Sequence, residues 1–165
     1  TAPFSLPIYK SSTDKQKARA KALNLLKQAG WELRNQELVH IETGANFTFE
    51  FLFYNPSTQK IALHFQNSLK EVGIKLKATL IDVSTYQERL DQHDYDLILH
   101  TIPQSPTPGN EQRGMWSSAA ANQPGTYNIA GVSDPVIDEI IEKLIESADY
   151  DTLVARTKAL DRVLL

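Results

Sequence analysis

The chain contains no cysteine, which excludes disulfide staples, thiol catalysis and thiolate metal sites and leaves the redox compartment open. It has no apolar run approaching the roughly 18 residues that a bilayer-spanning helix needs, and no basic stretch leading into the apolar core of a secretion signal. Blocks of single-sign charge are missing as well. Seventeen Lys and Arg stand against 20 Asp and Glu, and the net charge of −3 is dispersed, so neither nucleic acid nor an anionic membrane is expected as the principal partner. The four histidines, His40, His64, His93 and His100, never recur at three- or four-residue spacing, so no helix face offers a zinc site. No metal and no cofactor is expected. The G-x-S-x-G elbow, the glycine-rich dinucleotide fingerprint and the P-loop lysine are also lacking, and there is no internal repeat or low-complexity tract.

What is present suffices for one core. At 165 residues and 41% hydrophobic content the expectation is a single domain over residues 1–165. Because Thr1 is not Met and the last helical pattern runs uncapped into Leu164-Leu165, the chain is expected to be a piece of a longer protein. The opening TAPFSLPIYK reads as extended. A helix follows, capped by Ser12 or Thr13, with Ala18, Ala22, Leu25, Leu26 and Ala29 as its apolar stripe and Gly30 as its stop; Trp31 is expected to fold back on its end. Leu38 to Ile41 is a short strand. Residues 47–54, FTFEFLFY, form the clearest strand, with Phe47, Phe49, Phe51 and Phe53 on one face. No Lys or Arg interleaves these rings, so the stripe reads as core rather than as a stacking surface for nucleic acid.

Asn55-Pro56 ends that strand, and a helix with the stripe Ile61, Phe65, Leu69 and Val72 runs to Gly73. Period two returns at Ile74, Leu76, Ala78 and Leu80. Ser84 is expected to cap a short helix through Tyr86 and Leu90, and Tyr95 to His100 is the next strand. Acids at these junctions, Asp82, Asp94 and Asp96, read as caps of helix ends rather than as acid–base groups. Strand, helix, strand, helix, strand with short connections predicts an α/β fold whose mainly parallel βαβαβ sheet is flanked by helices. Further on, Asp134-Pro135 starts a helix with the core face Ile137, Ile140, Ile141, Leu144 and Ile145, and a last helix begins near Asp151.

Between them lies Thr101 to Gly131, far longer than the usual connection of about 4–6 residues. Four prolines, four glycines, Met115, Trp116, Tyr127 and Ile129 argue for an ordered functional loop and against a linker. Glu111 and Arg113 offer charge-assisted hydrogen bonds of both signs and Trp116 a flat apolar surface, a mixture suited to a peptide backbone. The same residues would also serve to pin the loop to its own domain. Candidate ligand contacts are Gln104, Ser105, Asn110, Glu111, Arg113, Trp116 and Tyr127; no catalytic residue is assigned. The rival reading is a peptide hydrolase using Ser117 or Ser118 with His100.

The succession of a helix ending LLKQAGW, the aromatic strand, a helix ending LKEVGIKL, DVSTYQERLDQHDYDLIL, the loop, and GVSDPVIDEIIEKLIESADYDTLVARTKALDRVL resembles the second lobe of the peptide-binding family of extracellular solute-binding proteins serving ABC importers. The resemblance covers nearly the whole chain. Gly109-Asn110-Glu111-Gln112-Arg113, Trp116-Ser117-Ser118-Ala119-Ala120, Asn128-Ile129-Ala130-Gly131 and Ala159-Leu160-Asp161-Arg162-Val163 are similar to the oligopeptide and microcin C uptake branch. It implies a periplasmic-binding-protein-like lobe, truncated from a two-lobed receptor that is periplasmic or lipid-anchored, monomeric, and delivers an oligopeptide to the permease subunits. In other branches the loop after the strand matching Tyr95 to His100 carries an aspartate for the peptide ammonium. Here Thr101-Ile102-Pro103-Gln104-Ser105 has none, so either Glu111 takes a related role or the peptide N-terminus is recognised more loosely.

Overall fold

In the computed structural model, which describes residues 8–165, the first regular element is α1, Ser12–Gln28. The extended reading of the opening segment falls largely on residues 1–7, outside the described part. Ser11, one residue ahead of the expected cap, closes a capping box with Asp14. Gly30 follows the helix at φ +87°, as a C′ glycine should. The apolar stripe of α1 is not core: none of its residues is buried. Its neighbour is a narrow two-stranded hairpin, too small to cover a helix face.

That hairpin was not expected. Trp31 opens strand β1, Trp31–Arg34, which pairs antiparallel with β2, Glu37–His40. Asn35 and Gln36 form the two-residue turn, both at positive φ, the geometry that matches strand twist; Gln in place of the usual Gly hid it. The Trp31 ring rests on His40 and Phe47 at centroid distances of 5.0 and 4.6 Å.

The sheet is built from β3, Thr48–Phe53, β4, Lys75–Leu80, and β5, Leu97–Ile98. Their order is β4-β3-β5, with both pairings parallel. Helix α2, Gln59–Lys70, follows a 3-10 turn at Pro56–Thr58 capped by Asn55. Phe51, Phe53, Leu76 and Ala62 form the core of this part, with Phe49, Leu69, Ala78 and Leu97 packed against it, so three rings of the phenylalanine stripe belong to this core, whereas Phe47 precedes β3 and meets Trp31. The helix stripe is offset from the expected one. Ala62, Gln66 and Leu69 face inward, whereas Ile61 and Phe65 are 55% and 40% exposed. A small Ala62 lets the helix approach closely, and Gln66 Nε2 donates to the Leu76 carbonyl at 2.6 Å. β5 is two residues long, and the Asp96 carboxylate extends its ladder by accepting the Glu50 N–H at 2.8 Å.

Gly73 sits where the hairpin meets the start of β4. Leu38 N–H donates to its carbonyl at 2.8 Å. A Cβ there would lie 2.4 Å from Leu33 Cδ1 and 2.8 Å from the Leu38 nitrogen, at φ +82°, so only glycine fits.

The described chain divides into two units. One holds the residues up to Leu80 together with Asp96–Ile98; the other holds Ile81–Tyr95 and Leu99–Leu165. The second unit contains α3, Val83–Asp91, capped by Asp82 rather than by Ser84, whose hydroxyl donates to the same carboxylate. Asp134 and Asp149 likewise cap the two helices near the chain's end, Pro135–Ile145 and Tyr150–Leu164. The long loop carries two short helices between α3 and these, which are therefore α4, Glu111–Trp116, α5, Ser118–Ala121, α6, Pro135–Ile145, and α7, Tyr150–Leu164. Ile137, Ile141, Leu144 and Leu160 form its core, with Trp116, Val132, Leu153 and Leu164 packed on it.

Candidate functional site

Three anchors order the long loop. The α4–α5 junction is Ser117, whose Oγ accepts the Ala120 N–H at 3.3 Å, while Ser118 N–H donates to Asp138 Oδ1 of α6 at 2.8 Å. Both serines therefore help to terminate and dock short helices. Asn128 is fully buried. Its Nδ2 donates to the Ser117 and Val132 carbonyls and its Oδ1 accepts the Val132 N–H, each at 2.9 Å. His93 Nε2 lies 3.1 Å from the Asn128 carbonyl oxygen, and the Tyr95 hydroxyl donates to that of Ile129. The third anchor is Arg113, which grips both carboxylate oxygens of Glu142 on α6, at 2.7 and 2.5 Å, and donates to Asn110 Oδ1 at 2.7 Å.

These anchors leave a groove of about 490 Å³ between residues 102–108, α4 and one face of α7. Ile102, Trp116, Leu153, Leu160 and Leu164 supply apolar wall; Gln104, Ser105 and Gln112 supply polar groups. Gln112 is only 2% exposed, and its Nε2 donates to Gln104 Oε1 at 2.8 Å and to Glu111 Oε1 at 3.1 Å. Gln104 Nε2 in turn reaches Met115 Sδ at 3.4 Å. The groove is thus bounded by an interlocked pair of amides, whose orientation is set by the loop itself.

The structure gathers Gln104, Ser105 and Trp116 from the expected contacts around this groove and separates the others from it. Glu111 turns back on its own loop, accepting the Gly109 N–H at 2.8 Å, which holds its carboxyl below the usual range. Arg113 lines a smaller hollow of about 260 Å³ with Ser117, Asp138 and Glu142. Asn110 binds Arg113, and Tyr127 stands 69% exposed away from the groove's lining. The loop-pinning role read from Glu111 and Arg113 is the one their contacts display. Sequence reasoning assigned no ligand role to Gln112 or to the α7 side, including Lys158 and Asp161; the signals were Gln112 within the motif Gly109–Arg113 and Leu160 and Asp161 within Ala159–Val163.

The family model for bacterial extracellular solute-binding proteins, family 5 Middle, matches residues 1–124. The chain belongs to this family. Family 5 consists of binding proteins, not enzymes, which removes the hydrolase reading for Ser117 and Ser118. An uncharacterized protein of Sinorhizobium fredii is 43% identical over the whole chain, which covers 25% of that protein. The probable peptide-binding protein YejA of Agrobacterium fabrum is 34% identical over the whole chain and 27% of its own length. The chain thus spans about a quarter of the curated relatives it matches. Among solved structures, the oligopeptide-binding protein AppA of Bacillus subtilis, in complex with a nonapeptide, superposes with TM-score 0.73 at 19% identity, over 99% of this chain and 32% of that one. A nickel ABC transporter protein of Bacillus halodurans gives 0.70 at 22%, over 97% and 31%. At these identities the likeness establishes the fold: the α/β architecture is that of periplasmic binding proteins.

Proposed function

We propose that the family 5 protein to which this chain belongs is the substrate-binding component of an ABC importer, and that it captures oligopeptides. On this reading residues 1–165 are part of one lobe of a two-lobed, monomeric receptor, periplasmic or lipid-anchored, that closes on its ligand by a hinge motion and delivers it to the permease. The oligopeptide and microcin C uptake branch is the branch proposed. The observation that carries the peptide assignment is the groove under Trp116. Its walls are mainly apolar and tolerant of different side chains, while Gln104 and Ser105, the first held in place by the buried Gln112, bring an amide and a hydroxyl to its lining for a peptide backbone to meet. The name of the Agrobacterium relative points the same way. Asn110, Glu111 and Arg113 hold the loop in the shape that makes the groove, and Tyr127 offers an exposed ring beside the Asn128 turn.

The test is calorimetry on the full-length protein with peptides identified by mass spectrometry of ligand carried through purification. Trp116→Ala is expected to weaken binding by about 1–2 kcal/mol through lost contact, and Arg113→Ala by a similar amount through loss of the loop's hold on Glu142. Bound peptide should be recovered intact. Unchanged affinity in both variants, with the fold preserved, would remove this loop from the site.

A further inference from the structure

Gln104 brings an amide to the groove, and an amide can offer either a carbonyl or an N–H. Its neighbours decide which. The Glu111 carboxylate accepts the Gly109 N–H at 2.8 Å, a bond that holds its carboxyl below the usual range and keeps it ionised at neutral pH. An ionised carboxylate can only accept. The buried Gln112 therefore turns its NH2 toward Glu111, at 3.1 Å, since its carbonyl in that place would set two acceptors face to face. A second bond from the same NH2 goes to Gln104 Oε1 at 2.8 Å. With its oxygen turned to Gln112, Gln104 has its NH2 left to offer. That NH2 also meets the Met115 sulfur at 3.4 Å, a weak acceptor and the partner of only one of its two hydrogens. The other hydrogen has no partner among the described residues.

The loop around Gln104 is poor in other donors. Pro103, Pro106 and Pro108 carry no N–H. The Thr107 N–H is spent on Ser105 Oγ at 3.1 Å, and the Gly109 N–H on Glu111. A peptide main chain laid along residues 102–108 brings carbonyls as well as amides, and a carbonyl pressed against Ile102 and Trp116 loses water that an apolar wall does not replace. An N–H from Gln104 replaces it.

We infer that Gln104 is a hydrogen-bond donor of fixed polarity in this groove, that Glu111 and Gln112 are the positioning residues that fix it, and that the ligand atom it takes is a main-chain carbonyl oxygen. The inference rests on the peptide-binding reading above and adds to it the ligand atom and the polarity of its partner. It gives Glu111 a part in recognition without any contact with the ligand: the carboxylate orients Gln112, and Gln112 orients Gln104.

The probe is the tetrapeptide Ala-Phe-Leu-Ala with its three analogues, each carrying one thiocarbonyl, a weaker acceptor, in place of a main-chain amide carbonyl. Binding to the full-length protein is measured by calorimetry. For the wild type, at least one replacement is expected to weaken binding by about three- to tenfold, the worth of one hydrogen bond. Gln104→Met should erase that difference. Glu111→Leu should erase it too, because Gln112 is then free to turn over and Gln104 with it. Glu111→Gln, whose carbonyl can accept from both Gly109 and Gln112, should keep it. A merely structural role for Glu111 would weaken all four peptides together in the Leu variant and leave their ratios as in the wild type. If the wild type binds the four equally, if Gln104→Met or Glu111→Leu retains the difference, or if Glu111→Gln loses it, the inference is overturned while the peptide reading stands. If the wild type binds none of the four, both fall.

Discussion

Asn128 spends its entire side chain on backbone groups of its own loop, and no pattern in the sequence announces this. An Asn beside Ile-Ala-Gly reads as a turn residue, yet its three hydrogen bonds reach Ser117 and Val132, and the Ser117 contact exists only in the folded chain. Replacing it by Ala leaves two carbonyls and one N–H unsatisfied in a dry site. Asn128→Ala is expected to lower unfolding free energy by about 3 kcal/mol in a urea titration. Arg113 and Glu142 lie at the other extreme, an exposed pair. The hydrogen bonds from Arg113, more than its charge, hold the Glu142 carboxyl below its usual range. A carboxyl depressed in the folded state adds stability that is fully present above its unfolded value and is lost as pH falls through the lower, folded one. Thermal midpoints measured from pH 7 downward should therefore drop less steeply for Glu142→Gln than for the wild type below the ordinary carboxylate range. Added salt should shrink the difference, because the pair faces water.

Among the elements, those with a strong internal period were readable: the Phe-alternating β3, the Asp-Pro start and Ile face of α6, and the parallel strand order. Elements defined by what they touch were not. The α2 face turned inward is the one with the smallest residue, Ala62, and a hydropathy stripe favours Ile61 and Phe65 instead. The β1–β2 hairpin turns on Asn-Gln at positive φ, a pair without the glycine that normally signals it. Its seat is Gly73, where both the backbone conformation and the neighbouring atoms forbid a side chain. Gly73→Ala is expected to cost about 2 kcal/mol. Gly30→Ala shares the positive φ but meets nothing closer than 3.4 Å, at the end of the His40 ring, and should cost about 1 kcal/mol. Chemical unfolding of the two variants side by side checks the order.

For the whole molecule, length and aromatic content marked the long loop as an ordered segment and a candidate site, and Gln104, Ser105 and Trp116 meet at one groove. The opposite wall was not legible, since Leu153, Leu160 and Leu164 lie on a helix more than 30 residues beyond Trp116 and read only as the apolar face of that helix. The division into two units has a consequence of its own. The backbone passes from one unit to the other after Leu80, after Tyr95 and after Ile98, so neither is a single uninterrupted stretch of gene. A piece ending at Leu80 would leave behind β5, which closes one side of β3. The most phenylalanine-rich strand of the chain would then present an open, unpaired edge to every other copy in solution.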